Sequence, residues 1–146
     1  MTVPERVAQI RAEYDHCFGC GSANPFGLQL DGFEVTGSAV VTTFTPRPEY
    51  GGFAGVLHGG IVAAALDEIM AWTAILTENV MVMTGTLELR YRKPAAVAAS
   101  FTLQGELLER RGRRLKLAGR LLDDSTEVAG AVGVFLAVED LPGVAG

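Results

Sequence analysis

Cysteine and histidine are scarce in this sequence, two of each among 146 residues. So few thiols exclude a disulfide-built scaffold. So few imidazoles leave a metal centre short of ligands. Positive charge is also in short supply: 12 Lys and Arg stand against 17 Asp and Glu, for a net charge of −5. Nucleic acid is therefore not expected as a partner. The first residues, MTVPERVAQIRAEYDH, include acids and no apolar segment of signal-peptide length, so the expected setting is cytoplasmic, with reduced thiols. A membrane span is not expected either, because the longest apolar run, Ile61 to Leu76, contains Asp67 and Glu68. What is present fits a folded soluble domain with a sizeable core: 49% of residues are hydrophobic and 20% charged. Eighteen glycines point to turns and close backbone approaches.

Periodicity orders the chain. Pro4 to about Tyr14 reads as a short amphipathic helix with Val7 and Ile10 on one side. DHCFGCGSANPFG is an irregular loop. Leu28, Leu30, Phe33 and Val35 suggest a first strand, and SAVVTTFTP a second, ended by Pro46 and Pro48. The long loop RPEYGGFAGVLHGG leads into a helix from about Gly59 to Thr77. VMVMTGTLELRYRKP then alternates, with Met83, Leu87, Leu89 and Tyr91 on one parity and Thr84, Thr86, Glu88, Arg90 and Arg92 on the other. SFTLQGELLERRG, RRLKLAGRLLDD and EVAGAVGVFLAVED follow as three more strands, turning at Arg111-Gly112 and Asp123-Asp124-Ser125. The expected order is two strands, one long helix, then four strands in a meander. The helix is apolar nearly all round and must be buried on most sides. An antiparallel sheet curling around it would do this, approaching closely over Ala63, Ala64, Ala65, Ala71 and Ala74. The uncovered rim of such a sheet predicts self-association.

Asp67 and Glu68 are the unusual residues of that helix. Neighbours in sequence lie about 100° apart around the axis, so the two acids face different surroundings. An ionised carboxylate in an apolar helix is costly unless it is paired or functional. At the helix start, His58-Gly59-Gly60 offers backbone N–H groups without helical partners and room for a ligand to approach. Such donors, with the helix dipole, suit a carbonyl oxygen that gains negative charge. Gly59 and Asp67 are separated by roughly 12 Å at 1.5 Å per residue, so one carbonyl cannot reach both. Two antiparallel copies of the helix across a two-fold axis would bring Gly59 of one copy to Asp67 of the other.

HGGIVAAALDE followed by TGTLELRYRKP resembles the hotdog-fold acyl-CoA thioesterases, in particular their phenylacetate-type (PaaI-like) and THEM-like branch of the 4-hydroxybenzoyl-CoA thioesterase superfamily. The resemblance covers roughly Gly27 to Val138 and includes an acid nine residues after the His. The implied fold class is α+β: a curved antiparallel sheet wrapped around one long central helix, with a short N-terminal helix. Residues 1–26 would form the N-terminal helix and Cys/Gly-rich loop, and 27–146 the hotdog domain, within one structural unit. The implied reaction is hydrolysis of acyl-CoA thioesters to free acid and CoA, in a homodimer or homotetramer. No cofactor beyond the substrate's own coenzyme A is implied, and no metal. Gly59 would donate its N–H to the thioester carbonyl, and His58 would shape the loop. Asp67 would act as general base or nucleophile, and Thr84 would help hold the water. Arg90, Arg92 and Lys93 would meet the coenzyme A phosphates, with Gly60 lining the path. Thr84 lies on the polar parity of its strand, so it would reach the site through a bulge or across a dimer seam. Several relatives carry Asn or Gln six residues before the His, where this chain has Gly52.

Two further features have plainer readings. Cys17 and Cys20 form a single Cys-x-x-Cys without a second pair, which is a weak zinc signal, and a buried loop is expected there. Ile69, Met70 and Trp72 are expected in the core or at a dimer contact. The alternatives to a thioesterase are a non-catalytic acyl-CoA-binding protein and a hotdog dehydratase or hydratase.

Overall fold

The computed structural model describes residues 1–138. A capping box opens helix α1, Val3–Glu13: the Glu5 N–H donates to Thr2 Oγ1 at 3.2 Å, and the Thr2 N–H to Glu5 Oε2 at 3.3 Å. Pro4 lies in its first turn, and Val7 and Ile10 are buried. The loop that follows folds back on itself. Leu28 N–H donates to Phe18 O at 2.7 Å, and Leu30 N–H to Gly19 O at 3.0 Å. Leu28 and Leu30 are therefore buried, but against the loop and not in a ladder. Gln29 and Gly32 have positive φ, of 54° and 67°, which breaks the extended run. The expected first strand shrinks to β1, Glu34–Thr36.

Strand β2, Ala39–Phe44, pairs with β1, and the chain then crosses through a short 3-10 turn to helix α2, Gly59–Glu78. His58 is the N-cap of α2, and Asn79, in the left-handed region at φ 58°, ends it. By length and composition α2 could cross a membrane, but here the sheet wraps it. The remaining strands are β3, Met81–Tyr91; β4, Phe101–Arg111; β5, Arg114–Asp123; and β6, Thr126–Val138. The sequence reading of the last strand runs on into Glu139 and Asp140, which lie outside the described residues.

The six strands form one antiparallel sheet in the order β1-β2-β4-β5-β6-β3. This corrects the expected four-strand meander. Of the last four strands, only β4, β5 and β6 run as consecutive hairpins. β3 pairs with β6, and residues 92–100 carry the chain past the start of α2 to place β4 beside β2. Alternation along a strand shows which face it buries but not which neighbour it pairs with, so the sequence was silent on this choice.

The core lies between α2 and the sheet. Leu66, Ile69, Met70 and Trp72 are nearly inaccessible, as are Leu103, Leu115, Leu117, Leu121 and Phe135. Trp72 stacks on Phe33, with ring centroids 4.6 Å apart. Close approach depends on glycines of the sheet. A Cβ at Gly105 would lie 2.0 Å from Thr73 Oγ1, and one at Gly119 would lie 3.1 Å from Met70 Cγ. Helix and sheet meet at these two glycines.

Candidate active site

Of the four N–H groups that a helix start leaves without helical partners, that of His58 donates to Tyr50 O at 2.9 Å, and two more are satisfied by His58 itself, while Val62 begins the regular helical ladder. Gly60 N–H donates to His58 Nδ1 at 2.9 Å. Ile61 and Val62 N–H donate to His58 O at 3.0 and 3.2 Å. The remaining donor is Gly59 N–H, which has no partner among the described residues and sits at an exposed position. Accepting at Nδ1 places the proton of the neutral His58 ring on Nε2. The His-Gly-Gly thus singles out one backbone amide, and Gly60, whose N–H is occupied, can offer only its backbone surface.

Tyr91, which the sequence reading placed only as a face residue of its strand, completes the helix start. Its hydroxyl donates to Gly59 O at 2.8 Å, and its ring lies 3.7 Å from where a Gly59 Cβ would be. The recoverable signal was its inward parity three residues before Pro94. A cavity of about 340 Å³ opens beside it, walled by Phe53, Val56, Leu57, Val62, Tyr91 and Pro94, with Arg92 and Lys93 also in its lining. Gly52 lies close by. A Cβ there would be 3.1 Å from His58 Cα, so the side chain that relatives carry at this position has little room.

Asp67 and Glu68 separate as the helical geometry requires. Asp67 is part-buried and faces β3, where Thr84 Oγ1 donates to Asp67 Oδ1 at 2.7 Å. Glu68 faces the N-terminal loop and accepts from Trp72 Nε1 at 3.2 Å. Burial above all, and then the negative charge of Cys17, pushes the Glu68 carboxyl up to about 7.

The Thr84 contact is made within one chain, and a β-bulge makes it possible. The register between β3 and β6 shifts between Thr84 and Thr86, so Gly85 is the extra residue. Before the bulge, Thr84 pairs with buried Phe135; after it, Leu87 pairs with buried Gly133. Paired residues share a face, so Thr84 and Leu87 both point toward α2. The strict alternation read from the sequence is therefore broken. Met83, expected to face inward, pairs with Leu136 and is 64% exposed.

The basic residues are divided between two places. Arg90 stands on the outer face of the sheet, with Nη2 3.9 Å from Glu88 Oε1. Arg92 donates from Nε to Glu127 Oε2 at 2.6 Å, and Arg120 donates from Nε to Glu127 Oε1 at 2.8 Å. These side chains line an open trough of about 750 Å³ together with Arg114 and Lys116. Lys93, like Arg92, lines the cavity at the helix start.

One antiparallel sheet curled around a long central helix defines a hotdog fold, and the comparisons with known proteins extend that to a family. The family model of the thioesterase superfamily matches residues 54–129, more than half of the chain. This chain belongs to the thioesterase superfamily. It is similar to the acyl-coenzyme A thioesterase THEM4 of Bos taurus, at 24% identity over 139 residues, covering 93% of this chain and 57% of that protein. It also resembles the crystal structure of RHA08564, a thioesterase superfamily protein, with a TM-score of 0.73 and 27% identity over 80% of this chain and 60% of that one. The chain therefore spans less than two thirds of either relative. A third likeness, at 18% identity and a TM-score of 0.67, is to smu.793 from Streptococcus mutans UA159 bound to acetyl CoA; it covers 75% of this chain and 86% of that one.

Proposed function

We propose that the protein hydrolyses acyl-CoA thioesters to free acid and coenzyme A. The observation that carries this reading is the Asp67 carboxylate held toward the sheet edge by Thr84, at 2.7 Å, on the same helix whose first amide has no partner among the described residues. Hydrolysis of a thioester needs a polarised carbonyl and an activated water. Gly59 N–H is suited to the first task and Asp67 to the second. Oδ1 is occupied by Thr84, which leaves Oδ2 for the water. This chemistry calls on no resident metal or cofactor. The bovine relative's activity and the acetyl CoA held by the Streptococcus structure support the same substrate class. The apolar wall of the 340 Å³ cavity favours a medium-chain or aryl acyl group. Arg92 and Lys93 at that cavity, and Arg90 further out, are offered as contacts for the coenzyme A phosphates.

The working unit is a dimer. Gly59 and Asp67 are eight residues apart on one helix, roughly 12 Å, too far to serve a single bond. β3 is the last strand of the sheet, with no partner on its outer side among the described residues. It carries exposed Met83 and Tyr91 close to that edge. A second copy joined there would run its α2 antiparallel to the first and form two composite sites. The localisation that fits an acyl-CoA substrate and reduced thiols is cytoplasmic.

A thiol-release assay on a panel of acyl-CoAs is the test. Asp67→Asn is expected to lower kcat by roughly 10²–10⁴-fold while binding of a non-hydrolysable acyl-CoA analogue is kept. Unchanged turnover in Asp67→Asn would remove the carboxylate from the reaction. Tight acyl-CoA binding without thiol release would make the protein a binder instead.

A further inference from the structure

Glu68 faces away from the site just described, into a pocket closed by the N-terminal loop. Two cysteines of that loop meet it. The ligand atoms of Cys17, Cys20 and Glu68 all lie within 4.8 Å of one another, and Cys17 Sγ is 4.0 Å from Glu68 Oε1. Cys20 is buried, Cys17 is part-buried, and both are free thiols. The loop is shaped around these atoms. Gly21 N–H donates to Cys17 O at 2.9 Å, and a Cβ at Gly19 would lie 2.1 Å from the Glu68 carboxyl. Only a glycine lets the turn close over that carboxylate.

The cluster has donors in excess and no counter-charge. The Trp72 indole is its only neutral partner besides the loop amides, and no Lys or Arg forms an ion pair with Glu68 among the described residues. Arg11, which reaches the loop from α1, is spent on Cys20 O, Asp31 and Gln29. Two thiols and a carboxyl packed this closely cannot all carry negative charge unless a cation arrives.

Two thiolates from one tight turn and one carboxylate from a helix make a donor set for a borderline-soft divalent ion. We propose that Cys17, Cys20 and Glu68 bind a zinc ion, with the fourth position filled by water, and that the ion pins the N-terminal loop to the central helix. Zinc takes both sulfurs as thiolates and Glu68 as a carboxylate, so whatever protons these groups carry are released as the ion enters. The site is separate from the acyl-CoA chemistry and does not depend on it.

The test uses the whole protein purified under reducing conditions. Elemental analysis is expected to find about one zinc per chain. After chelation and reloading, Co²⁺ should give the thiolate-to-metal absorption and the intense visible bands of a tetrahedral site. Cys17→Ser and Cys20→Ser should lose both signals while circular dichroism shows them folded. Glu68→Gln should keep the sulfur absorption but weaken zinc roughly tenfold or more in competition with a chromophoric chelator. Stripping zinc should lower the Tm of the wild type and leave that of Cys17→Ser unchanged. Folded wild-type protein that takes up neither zinc nor cobalt with both thiols free would overturn the proposal. So would metal content indifferent to the cysteine variants, or isolation as a Cys17–Cys20 disulfide under the same reducing conditions.

Discussion

Thr84 shows how much one residue's orientation decides. Its hydroxyl fixes the Asp67 carboxylate, and it reaches α2 only because Gly85 is inserted before the ladder resumes. Losing one orienting hydrogen bond to a carboxylate is worth roughly 1.5 kcal/mol, or near tenfold in rate if the carboxylate is the base. Thr84→Val should therefore lower kcat about tenfold with little change in KM, and Thr84→Ser should retain activity. Steady-state kinetics on one acyl-CoA would check both. Glu127 gives a second expectation at this scale. Burial pushes its carboxyl up, but hydrogen bonds from Arg120 and Arg92 outweigh that and hold it below its ordinary value of 4.5. A depressed carboxyl contributes stability above 4.5 and loses it as pH falls through the lowered value. The Tm advantage of wild type over Glu127→Gln should be present at neutral pH and shrink on acidification below 4.5. Thermal scans across that range would measure it.

Between elements, the closeness of helix and sheet is the decisive quantity. The sequence pointed to the alanines of α2 as the reason for close packing, but the tightest contacts set Gly105 against Thr73 and Ile69 and Gly119 against Met70 and Leu66, because nothing in a strand pattern says which position faces a helix backbone. Gly105→Ala would bring a methyl to 2.0 Å from Thr73 Oγ1 and 2.8 Å from Ile69 O. Overpacking of this kind costs about 1–3 kcal/mol. Adding Thr73→Ala should recover only part of the loss, because the Ile69 carbonyl stays in place. Chemical denaturation of the single and double variants would resolve this. The same scale explains the shortened β1. Leu28 and Leu30 have the apolar spacing of a strand, yet their amides find loop carbonyls first, and the positive φ of Gln29 prevents the ladder from starting earlier.

For the whole molecule, the open question of cooperation between Gly59 and Asp67 becomes one of assembly. Gly59→Pro removes the amide at a first-turn position that tolerates proline, and Asp67→Asn removes the carboxylate proposed as the base. Each variant alone should be nearly inactive. Mixed with subunit exchange, they should regain about a quarter of wild-type activity, since half the dimers are mixed and each of these holds one intact composite site. Activity confined to the unmixed wild type would mean that each chain works alone. Sedimentation of the wild type should show a dimer or larger under the same conditions.

By itself the sequence determined the α2 limits to within a residue, the loop-strand alternation, the core identity of Ile69, Met70 and Trp72, and the pairing of a His-Gly-Gly with an acid further along the helix. These are local properties: period, capping and composition act within a few turns of chain. The tertiary structure alone decided that β3 pairs with β6, that a bulge brings Thr84 to Asp67, that Tyr91 braces the helix start, and that Glu68 joins Cys17 and Cys20. Each of these joins residues far apart in the chain. Strand pairing and the meeting of side chains across the core depend on how the whole sheet closes, and no local pattern encodes that.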